Sequence, residues 1–95
     1  MTAYAIGDVK ITDPAKFEKY RSQAPETIKK YGGRYIVRGG PIVHMEGDWN
    51  PSRLVVIEFD TMTQLKKWYH SKEYRGPKQL RHESSNTNVV FVEGI

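Results

Sequence analysis

The sequence predicts a single α+β domain over residues 1–95, with helical segments inserted among four strands in the order β-α-β-β-α-β. Val and Ile together number 15 against 3 Leu, a bias typical of sheets rather than of helical bundles. Segments with a strand pattern alternate with segments of helical periodicity, without repeats or a linker. A chain of 95 residues also has room for only one core.

The first strand and the first helix are predicted near the start of the chain. Ala3–Ile11 is a β candidate that is partly apolar on both sides. Asp13 followed by Pro14 is typical of a helix N-cap and first turn. Apolar residues then recur every three or four positions, at Phe17, Tyr20, Ala24, Ile28 and Tyr31. Gly32–Gly33 ends this helix, and we expect Pro25 to kink it.

A hairpin with a long, irregular bend is predicted next. Arg34–Arg38 predicts a short strand, and Ile42–Glu46 predicts its extension beyond a Gly-Gly-Pro break. Arg53–Asp60 has the strongest strand pattern. Because it is almost continuously apolar, we expect it to lie in the centre of the sheet.

The last third of the chain predicts a helix, a less regular segment and a final strand. Thr61 and Gln64 match a capping box that opens a helix ending near Ser71. Glu73–Ser84 predicts a short further helix or a turn around a Gly-Pro pair. Asn88–Glu93 predicts the last strand.

This element order is the ferredoxin-like plan. Right-handed crossovers then give an antiparallel sheet in the order 4-1-3-2 with the helices on one face. The other face carries one of two alternating sets of strand residues, and either set is too apolar for solvent. One set comprises Tyr4, Ile6, Leu54, Val56, Val89 and Phe91. We therefore expect two sheets to pack face to face in a homodimer.

Several stretches of the sequence, taken together, resemble one family over nearly the whole chain. They are Asp13–Pro14 with Phe17 and Tyr20, residues 31–40 (YGGRYIVRGG), Glu46–Gly47 with Trp49, residues 53–59 (RLVVIEF), Trp68–Tyr69, Ser71, Glu73–Tyr74, Arg81 and Val90–Gly94. In this combination the chain resembles a bacterial domain of unknown function, family 1330, in the dimeric α+β barrel superfamily. The resemblance implies a ferredoxin-like subunit whose sheet packs on that of a second copy to form a barrel. It implies no single activity, because that superfamily includes cofactor-free monooxygenases, isomerases, haem-degrading enzymes and ligand sensors.

Acidic residues interrupt the apolar strands and are expected to face the barrel interior. They are Asp8, Glu58 and Glu93. An Asp8–Arg38 pair in a half-buried cavity would orient a substrate carboxylate or act as an acid–base couple. The alternative is an ordinary ion pair at the mouth of the barrel.

The same barrel interior is predicted to hold a small organic anion or aromatic molecule. Arg38 would contact the anion, and Arg81 would close the pocket. Tyr20, Trp68 and Tyr74 would form its walls. The alternatives are core or interface packing for the aromatic residues and a solvated surface charge for Arg81.

The chain has three histidines, of which His70 is the candidate general base because it lies beside Trp68 and Tyr69 and because imidazole titrates near neutrality. The alternative for His70 is an ordinary residue at a helix end. The predicted catalytic residues are therefore Asp8 and His70. The histidine spacing and the lack of cysteine predict that there is no metal site. The sequence has no glycine-rich phosphate-binding loop, so we expect no nucleotide cofactor.

Basic residues are concentrated in one stretch, at Lys66, Lys67, Lys72, Arg75, Lys78 and Arg81. RNA-binding domains of this topology display aromatic rings on the third strand, where this chain has aliphatic residues, so we expect no nucleic-acid partner. The lack of cysteine, of a charged-then-apolar leader and of a long apolar run predicts a cytoplasmic protein without a membrane span.

These features together predict a homodimer that binds or converts a small organic molecule in the barrel interior without a cofactor. An enzyme of this kind would be a cofactor-free monooxygenase or isomerase. The alternative is a non-enzymatic dimer that senses a ligand or serves as a scaffold.

Overall fold

The computed structural model describes all residues 1–95, and its elements occur in the predicted order with one additional helix. They are β1 (Ala3–Ile11), α1 (Pro14–Lys30), β2 (Arg34–Arg38), β3 (Leu54–Phe59), α2 (Met62–Tyr69), α3 (Lys72–Ser84) and β4 (Ser85–Glu93). The strands form one antiparallel sheet in the order β2-β3-β1-β4, which is the predicted order counted from the other edge. The predicted α+β, ferredoxin-like fold is therefore confirmed, with β3 in the interior of the sheet.

Side-chain caps explain why α1 and α2 begin where the sequence predicts. The Asp13 carboxylate accepts a hydrogen bond from the Lys16 amide at 3.1 Å, and the Thr61 hydroxyl accepts one from the Gln64 amide at 3.1 Å. Each cap satisfies an amide that has no acceptor within its own helix. Pro25 lies inside α1, which continues through it as one helix.

Two segments were less certain in the sequence. Lys72–Ser84 is a helix of 13 residues, which confirms the helix, and not the turn, of the two alternatives predicted for Glu73–Ser84. It is capped by Ser71, whose hydroxyl accepts from the Tyr74 amide at 3.1 Å. The predicted strand extension over Ile42–Glu46 is wrong, because the chain leaves the sheet at Gly39, whose φ of 69° does not fit a strand. Residues 39–53 form an exposed loop instead.

The core lies between one face of the sheet and the three helices. Ala3, Ala5 and Val9 of β1 are buried there, and the first two pair with Phe59 and Ile57 of β3. The helices contribute Ala24, Ile28, Leu65, Trp68 and Tyr74. Small side chains on β1 leave room for the large rings of the helices to approach the sheet. None of the three helices is both long and apolar enough to cross a membrane.

The open face of the sheet carries the alternate residues of each strand. Tyr4 and Ile6 of β1 lie beside Glu58 and Val56 of β3, as the sequence predicts. On β4 this face instead carries Val90, which is 59% exposed, and other even-numbered residues. Val90 and Val92 are exposed on this face, whereas Tyr4, Ile6 and Val56 are half-buried.

The predicted facing of β4 is wrong. Val89 and Phe91 pair with Gly7 and Ala5, so they share the helix-facing side of the sheet. Glu93 is on that side as well, whereas Asp8 and Glu58 are on the open face. The strand begins at Ser85 rather than at residue 88, and its antiparallel register sets which residues face each side.

Candidate functional site

A pocket lies between the helix-facing side of the sheet and the helices that cover it. Gly7 is in the middle of the pocket floor, paired with Val55 of β3 on one side and with Val89 of β4 on the other. A glycine inside a strand leaves open space above the sheet that any larger side chain would occupy. The pocket therefore depends on this position.

Aromatic rings form the walls of the pocket. The Trp68 and Tyr74 ring centroids are 4.1 Å apart, and Tyr69 lies 5.9 Å from Tyr74 and 5.3 Å from Phe91. Walls of this kind favour a ligand with an apolar or aromatic body.

Two phenol groups meet within these walls. The hydroxyl oxygens of Tyr20 and Tyr74 are 2.9 Å apart. Burial raises the pKa of both phenols; the nearby Tyr74 adds to this effect for Tyr20, and Arg81 partly opposes it for Tyr74. Both phenols are therefore neutral near pH 7. One hydroxyl donates to the other, and the second O–H is able to donate to an oxygen of a ligand.

Arg81, on α3, is a buried cation at the same wall. It is only 6% exposed, yet it takes part in none of the ion pairs of the chain. Burial opposes its charge, but Tyr74 and the neighbouring phenols outweigh burial and raise the pKa of Arg81. A buried charge without a counter-ion is destabilising, and such groups are concentrated at functional sites.

Three more arginines also line the pocket: Arg21 of α1, Arg38 of β2 and Arg53 just before β3. Burial, together with the charges of the other two, lowers the pKa of Arg53. No acidic residue lines the pocket. Its charge is therefore positive, and its electrostatics favour an anionic ligand.

A β-bulge directs Arg38 toward the pocket. The register between β2 and β3 shifts at Ile36, so that Arg38 pairs with Val55. Without the extra residue, Arg38 would lie opposite Leu54, whose side chain is on the open face. One inserted residue thus moves this arginine from one side of the sheet to the other.

Pro25 leaves the carbonyl of Arg21 free to accept a hydrogen bond from Arg38. Because proline has no N–H, the carbonyl of Arg21 lacks the donor that a regular helix would supply. The Arg38 Nη2 donates to that carbonyl at 3.0 Å, and its guanidinium lies 4.5 Å from the centroid of the Tyr35 ring. The proline inside α1 and the bulge in β2 together fix this side chain at the pocket.

The open space in the pocket is about 50 Å³. An apolar cavity that holds benzene has roughly 150 Å³. A ring-sized ligand therefore requires side chains at the mouth to move outward. Arg21 has the freedom to do so, because it is exposed and its only ion pair is the one with Glu18 at 3.8 Å.

Five of the seven predicted site residues come together in this pocket: Tyr20, Arg38, Trp68, Tyr74 and Arg81. They lie between the sheet and the helices rather than in the expected barrel interior on the open face. The bulge accounts for this difference at Arg38. The other four are helical residues, and the helices lie on one side of the sheet only.

Asp8 and His70 lie outside the pocket. Asp8 faces the open side of the sheet, where its carboxylate accepts hydrogen bonds from the Trp49 indole at 2.9 Å and from the Ser52 amide at 3.1 Å. The expected Asp8–Arg38 pair is therefore wrong, since the two side chains are on opposite faces. His70 is an exposed residue that ends α2, with its ring edge-on to Tyr69 at 5.3 Å.

Arg21, Tyr35 and Arg53 line the pocket but were not among the predicted site residues. Arg53 lies at the start of the segment with the strongest strand pattern, and Arg21 follows Tyr20 on α1. In the sequence, neither can be distinguished from an ordinary surface arginine. The one sequence feature that could have pointed to Arg53 was the Gly39–Gly40 pair. A Cβ on Gly39 would lie 2.6 Å from Arg53 Nε, so the glycine permits the close approach of that guanidinium.

The remaining basic and metal-ligating residues are dispersed. No group of three or more His, Cys, Asp or Glu residues is placed to hold a metal ion. Lys66, Lys67, Lys72 and Arg75 are exposed, whereas Lys78 donates to the Tyr69 carbonyl at 3.1 Å. The basic stretch of the sequence is therefore divided between exposed residues, the half-buried Lys78 and the buried Arg81.

Comparison with known proteins identifies a family and several related folds. A family model described as a domain of unknown function, DUF1330, matches residues 2–95. No curated protein is significantly similar to the chain.

The related folds are distant in sequence. A protein of unknown function, RPA0582 from Rhodopseudomonas palustris, has a TM-score of 0.76 at 9% identity, covering 99% of this chain and 82% of its own. SnoaB, a cofactor-independent oxygenase from Streptomyces nogalater, has a TM-score of 0.74 at 10% identity, with 99% and 93% covered. A dimeric ferredoxin-like protein from Bacteroides fragilis has a TM-score of 0.57 at 13% identity, with 98% and 96% covered. At these identities the similarity establishes the fold alone.

Proposed function

The chain belongs to the DUF1330 family, and we propose that it binds a small organic anion with an aromatic or otherwise apolar body in the pocket between sheet and helices. The observation that carries this proposal is Arg81, a buried guanidinium without a carboxylate partner, set among aromatic rings. A carboxylate, phenolate or enolate oxygen would supply the missing counter-ion.

The Tyr20–Tyr74 pair supports the same ligand chemistry. Arginine binds oxyanions through two parallel N–H donors, and a neutral phenol adds a third donor nearby. The raised pKa values of the two phenols mean that they donate protons in hydrogen bonds rather than act as bases. The pocket chemistry therefore favours recognition of an anion over abstraction of a proton.

The proposal is tested by titrating benzoate and its neutral analogue benzamide into the protein, with calorimetry and thermal unfolding as readouts. We expect benzoate to bind at least about tenfold more tightly, the contribution of one charge-assisted hydrogen bond. Arg81→Gln should remove the preference for benzoate. Arg75→Gln, on an exposed position of the same helix, is the matched control and should keep it.

Equal binding of benzoate and benzamide by the wild-type protein would contradict the proposal, as would no binding of either at millimolar concentration. If Arg81→Gln fails to fold, the benzoate and benzamide comparison in the wild-type protein still decides the matter, because it requires no variant.

Conversion of the ligand is a separate step from binding. SnoaB has this fold and is described as a cofactor-independent oxygenase, so oxygen-dependent turnover is the reaction to test first. Incubation of the protein in air with any ligand that the titration identifies, followed by product analysis, separates an enzyme from a ligand sensor. An unchanged ligand would favour the sensor.

We further propose that the protein is a homodimer in which two open sheet faces pack together. Ile6 is in the middle of that face, beside Val56 and Val90, and the neighbour from Bacteroides fragilis is described as dimeric. Light scattering at micromolar concentration should give twice the chain mass of 11.0 kDa. A folded species of 11.0 kDa would contradict the dimer. Val56→Lys should dissociate it, whereas Lys67→Glu on the surface of α2 should not.

A further inference from the structure

The arginines Arg21, Arg38 and Arg53, which we call the mouth cluster, form a second concentration of positive charge in the pocket. The inference drawn from them deepens the proposed function and rests on it. Arg38 and Arg53 take part in no ion pair, and Arg21 has only Glu18 at 3.8 Å on the exposed side of α1. The mouth cluster therefore carries more positive charge than its neighbours balance.

Neutral groups hold two arginines of the mouth cluster in position. Arg38 lies over Tyr35 and donates to the Arg21 carbonyl, and Arg53 lies 5.5 Å from the centroid of the Phe17 ring. The repulsion among these guanidinium groups contributes to the lowered pKa of Arg53. Arg38 and Arg53 are positioned without an acid, which leaves their charge available to an anion from solution.

Arg38 of the mouth cluster and Arg81 are at opposite edges of the sheet. Arg38 is on the edge strand β2, whereas Arg81 lines a polar groove along the other edge strand, β4. Three strand spacings separate these edges, roughly 14 Å at about 4.8 Å each. Gly7, on β1 between them, leaves the floor of the pocket flat.

We propose that the ligand of this pocket is an elongated organic dianion, with one oxyanion at Arg81, the second at the mouth cluster, and an apolar body over Gly7. Arginine is suited to both ends, since its planar guanidinium binds a carboxylate or another oxyanion through two parallel hydrogen bonds. An aromatic or aliphatic dicarboxylate has this form.

The test compares two dicarboxylates of different length, terephthalate and para,para′-biphenyldicarboxylate, each with its own monomethyl ester. The ester keeps the shape of the diacid and removes one charge. We expect at least one diacid to bind about tenfold or more tightly than its ester, as one additional charge-assisted contact provides. The double variant Arg38→Gln/Arg53→Gln should reduce that ratio to about one while still binding the ester.

Gly39→Ala and Gly47→Ala provide a matched pair of milder variants. Both glycines have positive φ values, 69° and 84°, so both substitutions impose similar backbone strain. A Cβ at residue 39 would displace the Arg53 guanidinium, whereas one at residue 47 would contact nothing within 4 Å. The ratio of diacid affinity to ester affinity should fall in Gly39→Ala and remain unchanged in Gly47→Ala.

The outcomes separate this inference from the proposed function. If each diacid binds no better than its ester, or if the advantage survives in the double variant, the second oxyanion site is overturned while the proposed function stands. If neither diacids nor esters bind, both are overturned.

Discussion

Gly7 is the single residue that most directly controls whether a ligand fits. A Cβ built at this position has only ordinary contacts, the nearest at 3.8 Å, so the strand accepts a side chain whose outer atoms enter the pocket. We expect Gly7→Val to leave the free energy of unfolding unchanged or to raise it by roughly 0.5–1 kcal/mol, because glycine is unfavourable inside a strand. Benzoate binding should nevertheless be lost.

Chemical denaturation and calorimetric titration of the same preparation measure both effects of Gly7→Val. Gly40→Ala is the control, since its Cβ meets nothing within 4 Å and it does not line the pocket. A stable Gly7→Val protein that binds benzoate as well as the wild type would place the ligand elsewhere.

Glu73 is one of the carboxyl groups through which the fold responds to acid. Hydrogen bonds from Lys30 and Tyr31 lower the pKa of this carboxyl from 4.5 to about 2, and the bond from the Tyr31 hydroxyl is 2.7 Å long. Because the pKa is lower in the folded state, the stabilisation is complete above pH 4.5 and is lost as the pH falls toward 2. Urea denaturation should show stability declining over this range in the wild type and declining less in Glu73→Gln. Parallel decline in the two proteins would contradict this role.

At the scale of secondary structure, Pro25 in α1 and the bulge in β2 act on the same side chain. Pro25→Ala should restore the helical donor to the Arg21 carbonyl and displace Arg38 from it. We expect the unfolding free energy to rise by up to about 3 kcal/mol, since a proline inside a helix is destabilising by that order. The advantage of a diacid over its ester should fall.

A double-mutant cycle of Pro25→Ala with Arg38→Gln tests whether these two residues are coupled. In the Pro25→Ala background, Arg38→Gln should change the diacid affinity by less than it does in the wild type. An identical change in both backgrounds would mean that the proline does not position the arginine.

The elements themselves were largely predictable because their signals are local. Asp13 and Thr61 cap their helices as predicted, since a capping side chain acts within three residues. The Gly76–Pro77 pair made the helix α3 hard to distinguish from a turn in the sequence. In the structure α3 begins at the Ser71 cap and continues through Pro77. The facing of β4 was not predictable in the same way, because its register depends on pairing with β1 across the whole chain.

At the scale of the whole molecule, the candidate site could be predicted in its composition and not in its location. Tyr20, Trp68 and Tyr74 were candidates for pocket walls, with core packing as the alternative. All three line one pocket, and Trp68 and Tyr74 are also buried in the core. These residues are on helices, so they lie on the helix-facing side of the sheet, whereas the side on which Arg38 lies depended on the bulge at Ile36, a single extra residue that no local pattern in β2 marks. A one-residue shift transfers a side chain to the other face of a sheet, so Arg38 was predicted on the wrong face.

Because the pocket is on the helix-facing side, the two sides of the sheet have separate proposed roles. The helix-facing side of the sheet forms the proposed anion pocket, and the open side, with Ile6 at its centre, forms the proposed contact with a second copy. A dimer would therefore leave the pocket of each chain intact. Ligand affinity should be the same in the dimer and in a folded Val56→Lys monomer.

The chemical shifts of backbone amide, indole and guanidinium groups, measured during a benzoate titration, test the location of the ligand most directly. We expect the largest perturbations at the Gly7 amide, the Trp68 indole N–H and the Arg81 guanidinium, all of which belong to pocket residues. Ile6 and Val90, on the open face, should change little. Perturbations concentrated at Ile6 and Val90 instead would place the ligand between two sheets and contradict the proposed pocket.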